Sequence, residues 1–104
     1  MNQQAMLKKI KQMQKEMTDT QLEIENTVFE ANVAGIVTVE VMGNKHLQKV
    51  IVDKDFEVES AEDFEMLSDS IVAACAKAYK DIEEVTEEKM AKFQMLLNGI
   101  PGLF

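Results

Sequence analysis

The sequence contains no arginine and no tryptophan, and it has only one cysteine and one proline in 104 residues. The single Cys75 cannot form an intrachain disulfide, which suits the reducing cytosol. No apolar run approaches the roughly 20 residues of a membrane-spanning helix. The lysine-rich start also lacks the apolar stretch of a secretory signal. We therefore expect a cytoplasmic protein of bacterial type without a membrane partner.

Motifs for catalysis and metal binding are also missing. The lone His46 has no cysteine or carboxylate at a metal-ligand spacing, so it is predicted to be a plain turn residue. The acidic stretch DKDFEVE at 53–59 partly matches a calcium loop, but Val58 replaces the required glycine and Phe64 the required glutamate. Glycine-rich phosphate loops and nucleophile motifs do not occur. The sequence predicts no enzyme, no cofactor and no small-molecule substrate.

Charge is distributed unevenly along a chain whose formal net charge is −8. The first fifteen residues hold four lysines and no acid, whereas residues 53–69 hold eight acids and one lysine. The overall charge opposes indiscriminate nucleic-acid binding, because phosphates repel a negative protein. The local field dominates within a Debye length of about 8–10 Å, however. The basic start of the chain could therefore bind a polyanion by itself.

Two helical segments and three strands account for most of the chain. Residues 5–25 carry a heptad-spaced seam, and residues 61–97 are predicted to form a second helix whose seam stops near Val85. The first seam consists of Met6, Ile10, Met13, Met17, Thr20 and Ile24, and the second of Phe64, Leu67, Ile71, Ala74, Ala78, Ile82 and Val85. Residues 27–53 contain three β-branched runs separated by Ala34-Gly35 and by Gly43-Asn44, which is a two-residue hairpin signal. The prediction is an α+β fold in the order long helix, three-stranded antiparallel meander, long helix.

The helices are too long to stay within a compact domain. A helix of roughly 30 residues spans about 45 Å, whereas a compact 100-residue domain has a radius of gyration near 13 Å. If the two seams pack antiparallel, the pair projects as an arm, and Lys89 and Lys92 approach the lysines at the start of the chain. The two open edges of the sheet invite pairing with a second subunit.

The order and spacing of several segments resemble the YbaB/EbfC family of bacterial nucleoid-associated proteins. The matching segments are LKKIKQMQKEM, AGIVTVEVMGN, KVIVD, LSDSIVAACAKAYKDIEE and the terminal PGLF. The resemblance implies a tweezer-like homodimer with projecting helical arms that hold double-stranded DNA in the nucleoid. The glycine-rich first hairpin of the family is reduced here to EANVAG, which retains only Gly35.

We therefore treat the chain as one domain, 1–104, with an apolar tail at 98–104. The first hypothesis is a homodimer that binds duplex DNA mainly through phosphate contacts and acts in nucleoid organisation or gene regulation. The alternative is a protein–protein interaction module that uses the helical arms and the tail without binding DNA directly. The candidate DNA-binding residues are Lys8, Lys9, Lys11, Lys15, Lys89 and Lys92.

Overall fold

The computed structural model describes residues 2–99, and most of the predicted tail, from residue 100 onwards, lies outside this range. Its elements are α1 (Gln3–Glu25), β1 (Val28–Val33), β2 (Val37–Met42), β3 (Leu47–Val52) and α2 (Ala61–Asn98). The three strands form one antiparallel sheet in the order β1-β2-β3. The predicted α+β architecture of two helices flanking a three-stranded meander is confirmed.

Helix α1 begins at Gln3, two residues before the predicted start. The side chain of Asn2 accepts a hydrogen bond from the backbone N–H of Ala5 at 2.7 Å, which caps the helix. At the other end, the Asn26 amide donates to the Leu22 carbonyl at 2.8 Å. The predicted seam is the covered face of the helix, because all six of its members are buried or half-buried.

The two hairpins use different turns. Ala34 and Gly35 both have positive φ, 55° and 68°, as the two central residues of a type I′ turn do. The second connection differs from the predicted two-residue Gly-Asn turn, because residues 43–46 separate β2 from β3 and the register shifts between Glu40 and Val41. Gly43, the first residue of this loop, lies beside the end of α1. Its N–H donates to the carbonyl of Thr27 at 2.9 Å.

The core lies between one face of the sheet and the first part of α2. Val37, Val39 and Val41 are completely buried, and they share a cluster with Ala74 and Ala78 of α2. Small residues on α2 let the helix approach the sheet closely. The helix covers β1 and β2, whereas all six residues of β3 remain exposed. One apolar edge of the sheet is therefore left without a partner inside the chain.

Helix α2 changes its packing partner along its length. Its first part packs on the sheet and its last part on α1, so the buried face rotates by about 100° between Ala74 and Phe93 at 3.6 residues per turn. This rotation explains two errors in the predicted seam. The spacing predicts Phe64 within the seam, but this side chain is 64% exposed. Burial also continues past Val85 to Phe93, which is 1% exposed.

The helical arm makes the molecule long and thin, with extents of 71 × 20 × 15 Å. Its radius of gyration is 20.4 Å, well above the roughly 13 Å of a compact chain of this size. The acidic connector and the start of α2 lie at the opposite end of α2 from the arm. There the hydroxyl of Ser60 accepts the Asp63 N–H at 3.2 Å, and the Asp63 carboxylate accepts the Glu59 N–H at 2.9 Å.

Candidate nucleic-acid interface

The register of the two helices in the arm is marked by an ion pair. The ammonium of Lys89 on α2 lies 3.4 Å from Oε1 of Glu23 on α1. Both helices rise about 1.5 Å per residue and run antiparallel, so Asn98, the last residue of α2, lies opposite about Gln14. The first three turns of α1 therefore extend past the end of α2. We call residues 2–15 and 90–99 together the arm tip.

The arm tip carries positive charge without any acidic residue. Its two segments contain five lysines and neither aspartate nor glutamate. These lysines are Lys8, Lys9, Lys11, Lys15 and Lys92, and all are exposed. The amino end of α1 adds partial positive charge at the same place, because the helix dipole points its positive end there. Such a surface attracts a polyanion even though the whole chain is acidic.

Two of the lysines are already engaged with neighbouring groups. The ammonium of Lys15 lies 3.1 Å from the Asp19 carboxylate, and both side chains remain more than half exposed. The ammonium of Lys92 lies 4.9 Å from the centre of the Phe93 ring, within the range of a cation–π contact. An exposed ion pair contributes at most about 1 kcal/mol, and the cation–π contact of an exposed lysine contributes about as much. Both lysines can therefore turn towards a phosphate at small cost.

The six candidate lysines do not form one cluster. Lys89 and Lys92 line a pocket together with Thr20 and Glu23 in the middle of the arm. From the register, Lys89 lies about 22 Å along α1 from Lys8. The expected approach of Lys89 to the lysines at the start of the chain is therefore absent, because α1 overshoots α2. Lys92 sits at the inner border of the arm tip.

Exposed apolar side chains, which the sequence pattern did not predict as part of the site, accompany the lysines. Leu7 is 57% exposed, Met95 75% and Leu96 48%. Each lies outside the seam that joins the helices. An apolar residue outside the heptad positions is expected to be exposed, and this was the signal in the sequence. The arm tip is thus basic and partly apolar.

Other kinds of site receive no support from the geometry of residues 2–99. No group of three or more His, Cys, Asp or Glu side chains in this part of the chain could hold a metal ion. None of its helices is both long enough and apolar enough to cross a membrane.

Comparison with known proteins adds a family to this geometry. Residues 1–97 match the model of the YbaB/EbfC DNA-binding family. The chain belongs to this family. The resemblance inferred from the sequence is therefore confirmed, and membership in a family of DNA-binding proteins agrees with the prediction that the chain is not an enzyme.

Similar proteins match over nearly the whole chain. A nucleoid-associated protein of Clostridium acetobutylicum is 41% identical over 103 residues, which cover 98% of this chain and 89% of that protein. One from Lactococcus lactis subsp. cremoris is 40% identical over 102 residues, which cover 97% and 98% respectively. The crystal structure of an uncharacterized protein from Helicobacter pylori has the same fold, with a TM-score of 0.65 at 24% identity over 92% of this chain and 98% of that one.

Proposed function

We propose that this chain is a nucleoid-associated protein that binds duplex DNA as a homodimer, mainly through phosphate contacts made by its arm tips. The observation that carries the proposal is the arm tip itself, with five lysines and no acid. Family membership supports DNA as the partner. The names of the similar proteins support a place in the nucleoid of the bacterial cytoplasm, where nucleoid organisation or gene regulation would follow from coverage of the DNA.

Charge separation along the molecule favours an end-on contact. The acidic segment 53–69 lies at the sheet, and the arm keeps it away from DNA held at the arm tip. Along α2, about 44 Å separates residue 66 from residue 95 at 1.5 Å per residue. This distance is several Debye lengths at physiological salt, so the acidic segment hardly weakens the attraction at the arm tip. Without arginine, the planar guanidinium that reads guanine through two parallel hydrogen bonds is missing, and we expect weak base discrimination.

The uncovered strand β3 supports the homodimer. Leu47, Val50 and Val52 pair with the buried Val41, Val39 and Val37, so they lie on the same face of the sheet as the core. They nevertheless remain 39–41% exposed, because α2 does not reach over them. An open strand edge beside an apolar strip is a surface on which a second subunit can pack. A dimer would bring two arm tips to one duplex.

The test is a salt series of fluorescence anisotropy with a 30-base-pair duplex. Log affinity against log salt should fall with a slope of about −0.9 for each phosphate neutralised. The double variant Lys8→Glu with Lys11→Glu should lose at least about tenfold in affinity and show a shallower slope.

A matched control separates local from global charge. Lys77→Glu with Lys80→Glu changes the net charge equally at two exposed positions of α2 over the sheet. It should retain most of the affinity. Equal losses in both double variants would show that net charge, and not the arm tip, governs binding.

A further inference from the structure

A shallow groove lies at the end of the molecule opposite the arm tip. The first three turns of α2 and the end of β1 border an open depression of about 440 Å³ there. Its lining combines apolar and small residues with three carboxylates, which follow one side of α2. The lining consists of Val33, Glu62, Glu65, Met66, Asp69, Ser70 and Ala73. Met66 is 49% exposed, whereas Ser70 is only 7% exposed. Among the described residues, no salt bridge neutralises the three carboxylates.

The arm tip has the complementary arrangement of groups. Leu7, 57% exposed, is followed by Lys8 and, one turn later, by Lys11. An apolar side chain with two cations beside it therefore projects at one end of the molecule. Apolar side chains beside carboxylates line the groove at the other end.

We propose that the arm tip of one copy docks in the acidic groove of a second copy. Leu7 then packs on the exposed side of Met66, and the neighbouring lysines face Glu65 and Asp69. The two surfaces cannot meet within one chain, because about 44 Å of α2 separates them. The groove is acidic and the arm tip is basic. Their complementary electrostatic potentials make the contact specific and dependent on salt.

This contact leaves the proposed dimer surface free. The groove includes Val33 of β1, whereas the uncovered apolar strip belongs to β3, at the other edge of the sheet. An interface that joins two different surfaces is heterologous, so it repeats from copy to copy and builds rings or open chains. It also occupies Lys8 and Lys11, so self-assembly and a polyanion compete for the arm tip. The groove contact itself requires no DNA.

The experiment is sedimentation velocity without DNA, over a range of protein and salt concentrations. At high salt the wild-type protein should sediment as its smallest species, either the monomer or the proposed homodimer, which we call the basic unit. At low salt it should form heavier species. Two variants should each abolish these species. One is Glu65→Lys with Asp69→Lys, which makes the groove basic, and the other is Lys8→Glu with Lys11→Glu, which makes the arm tip acidic.

Mixing the two variants gives the sharpest result. The acidic arm tip of one now fits the basic groove of the other, so heavy species should return in the mixture. Glu57→Lys with Glu59→Lys changes the charge equally in the connector outside the groove and should leave assembly intact. Circular dichroism checks that each variant is folded.

Two outcomes would overturn the proposal. One is a wild-type protein that stays at its basic unit at low salt, and the other is a mixture of folded variants that fails to assemble. Failure of the DNA proposal is detected separately, because the variant with the basic groove keeps its arm tip. It should bind the duplex at least as well as the wild type.

Discussion

Lys89 on α2 and Glu23 on α1 form the ion pair that joins the two helices of the arm, with 3.4 Å between Nζ and Oε1. The pair is partly exposed, since the two side chains keep 44% and 69% of their surface. Glu23 thus balances the charge of Lys89, one of the six candidate lysines. The arm therefore presents its uncompensated positive charge farther out, where α1 extends past α2.

We predict that Lys89→Gln weakens DNA binding less than Lys11→Gln does. The charge of Lys89 is balanced by Glu23, whereas the arm tip around Lys11 contains no acid. Anisotropy at low salt measures both variants. In a double-mutant cycle with Glu23→Gln, urea unfolding should give a coupling free energy below about 1 kcal/mol, as for other exposed pairs. Equal losses of affinity for the two lysine variants would contradict the prediction.

A second prediction concerns the apolar contact that holds the arm together. Phe93 is 1% exposed, so Phe93→Ala should lower the free energy of unfolding by about 3–5 kcal/mol. Met95 lies two residues away on the same helix but is 75% exposed. Met95→Ala should therefore change stability by less than about 0.5 kcal/mol. Urea unfolding followed by circular dichroism measures both, and similar values for the two would argue against a packed arm.

Much of the fold follows from local patterns in the sequence. The seam of α1 could be predicted because the helix keeps one covered face along its length, so the hydrophobic period stays in phase. Helix α2 has two partners, and its buried face rotates from Ala74 to Phe93. A single seam drawn through α2 therefore included the exposed Phe64 and missed Phe93.

The candidate site was predictable only in part. The lysines of α1 stand out because no acid interrupts them, and local composition shows this directly. The position of Lys89 depends on the offset between α1 and α2, which no local pattern encodes. The same holds for the groove around Met66, which combines residues of α2 with Val33 of β1.

Gly43 allows a third prediction, at the junction between α1 and the sheet. A Cβ atom at this position would lie 1.7 Å from the carbonyl oxygen of Ile24, so part of the backbone would have to move. Gly43→Ala should lower the free energy of unfolding by about 1–3 kcal/mol. Gly35 is the control, since it has open space around it and a φ of 68° that asparagine also adopts. Gly35→Asn should be nearly neutral, and a similar loss in both variants would remove the steric explanation.

The last prediction tests the surface proposed for the homodimer. Val50 and Val52 lie on the core side of β3 and are 39% and 41% exposed. Two lysines there would place like charges in an apolar interface, so Val50→Lys with Val52→Lys should give a monomer in light scattering coupled to size exclusion. Ile51 is equally exposed, at 41%, but pairs with Thr38 on the opposite face of the sheet. Ile51→Lys should keep the mass of the wild type, because that face stays in water in the proposed dimer. A dimer that survives the double substitution would place the subunit contact elsewhere on the molecule.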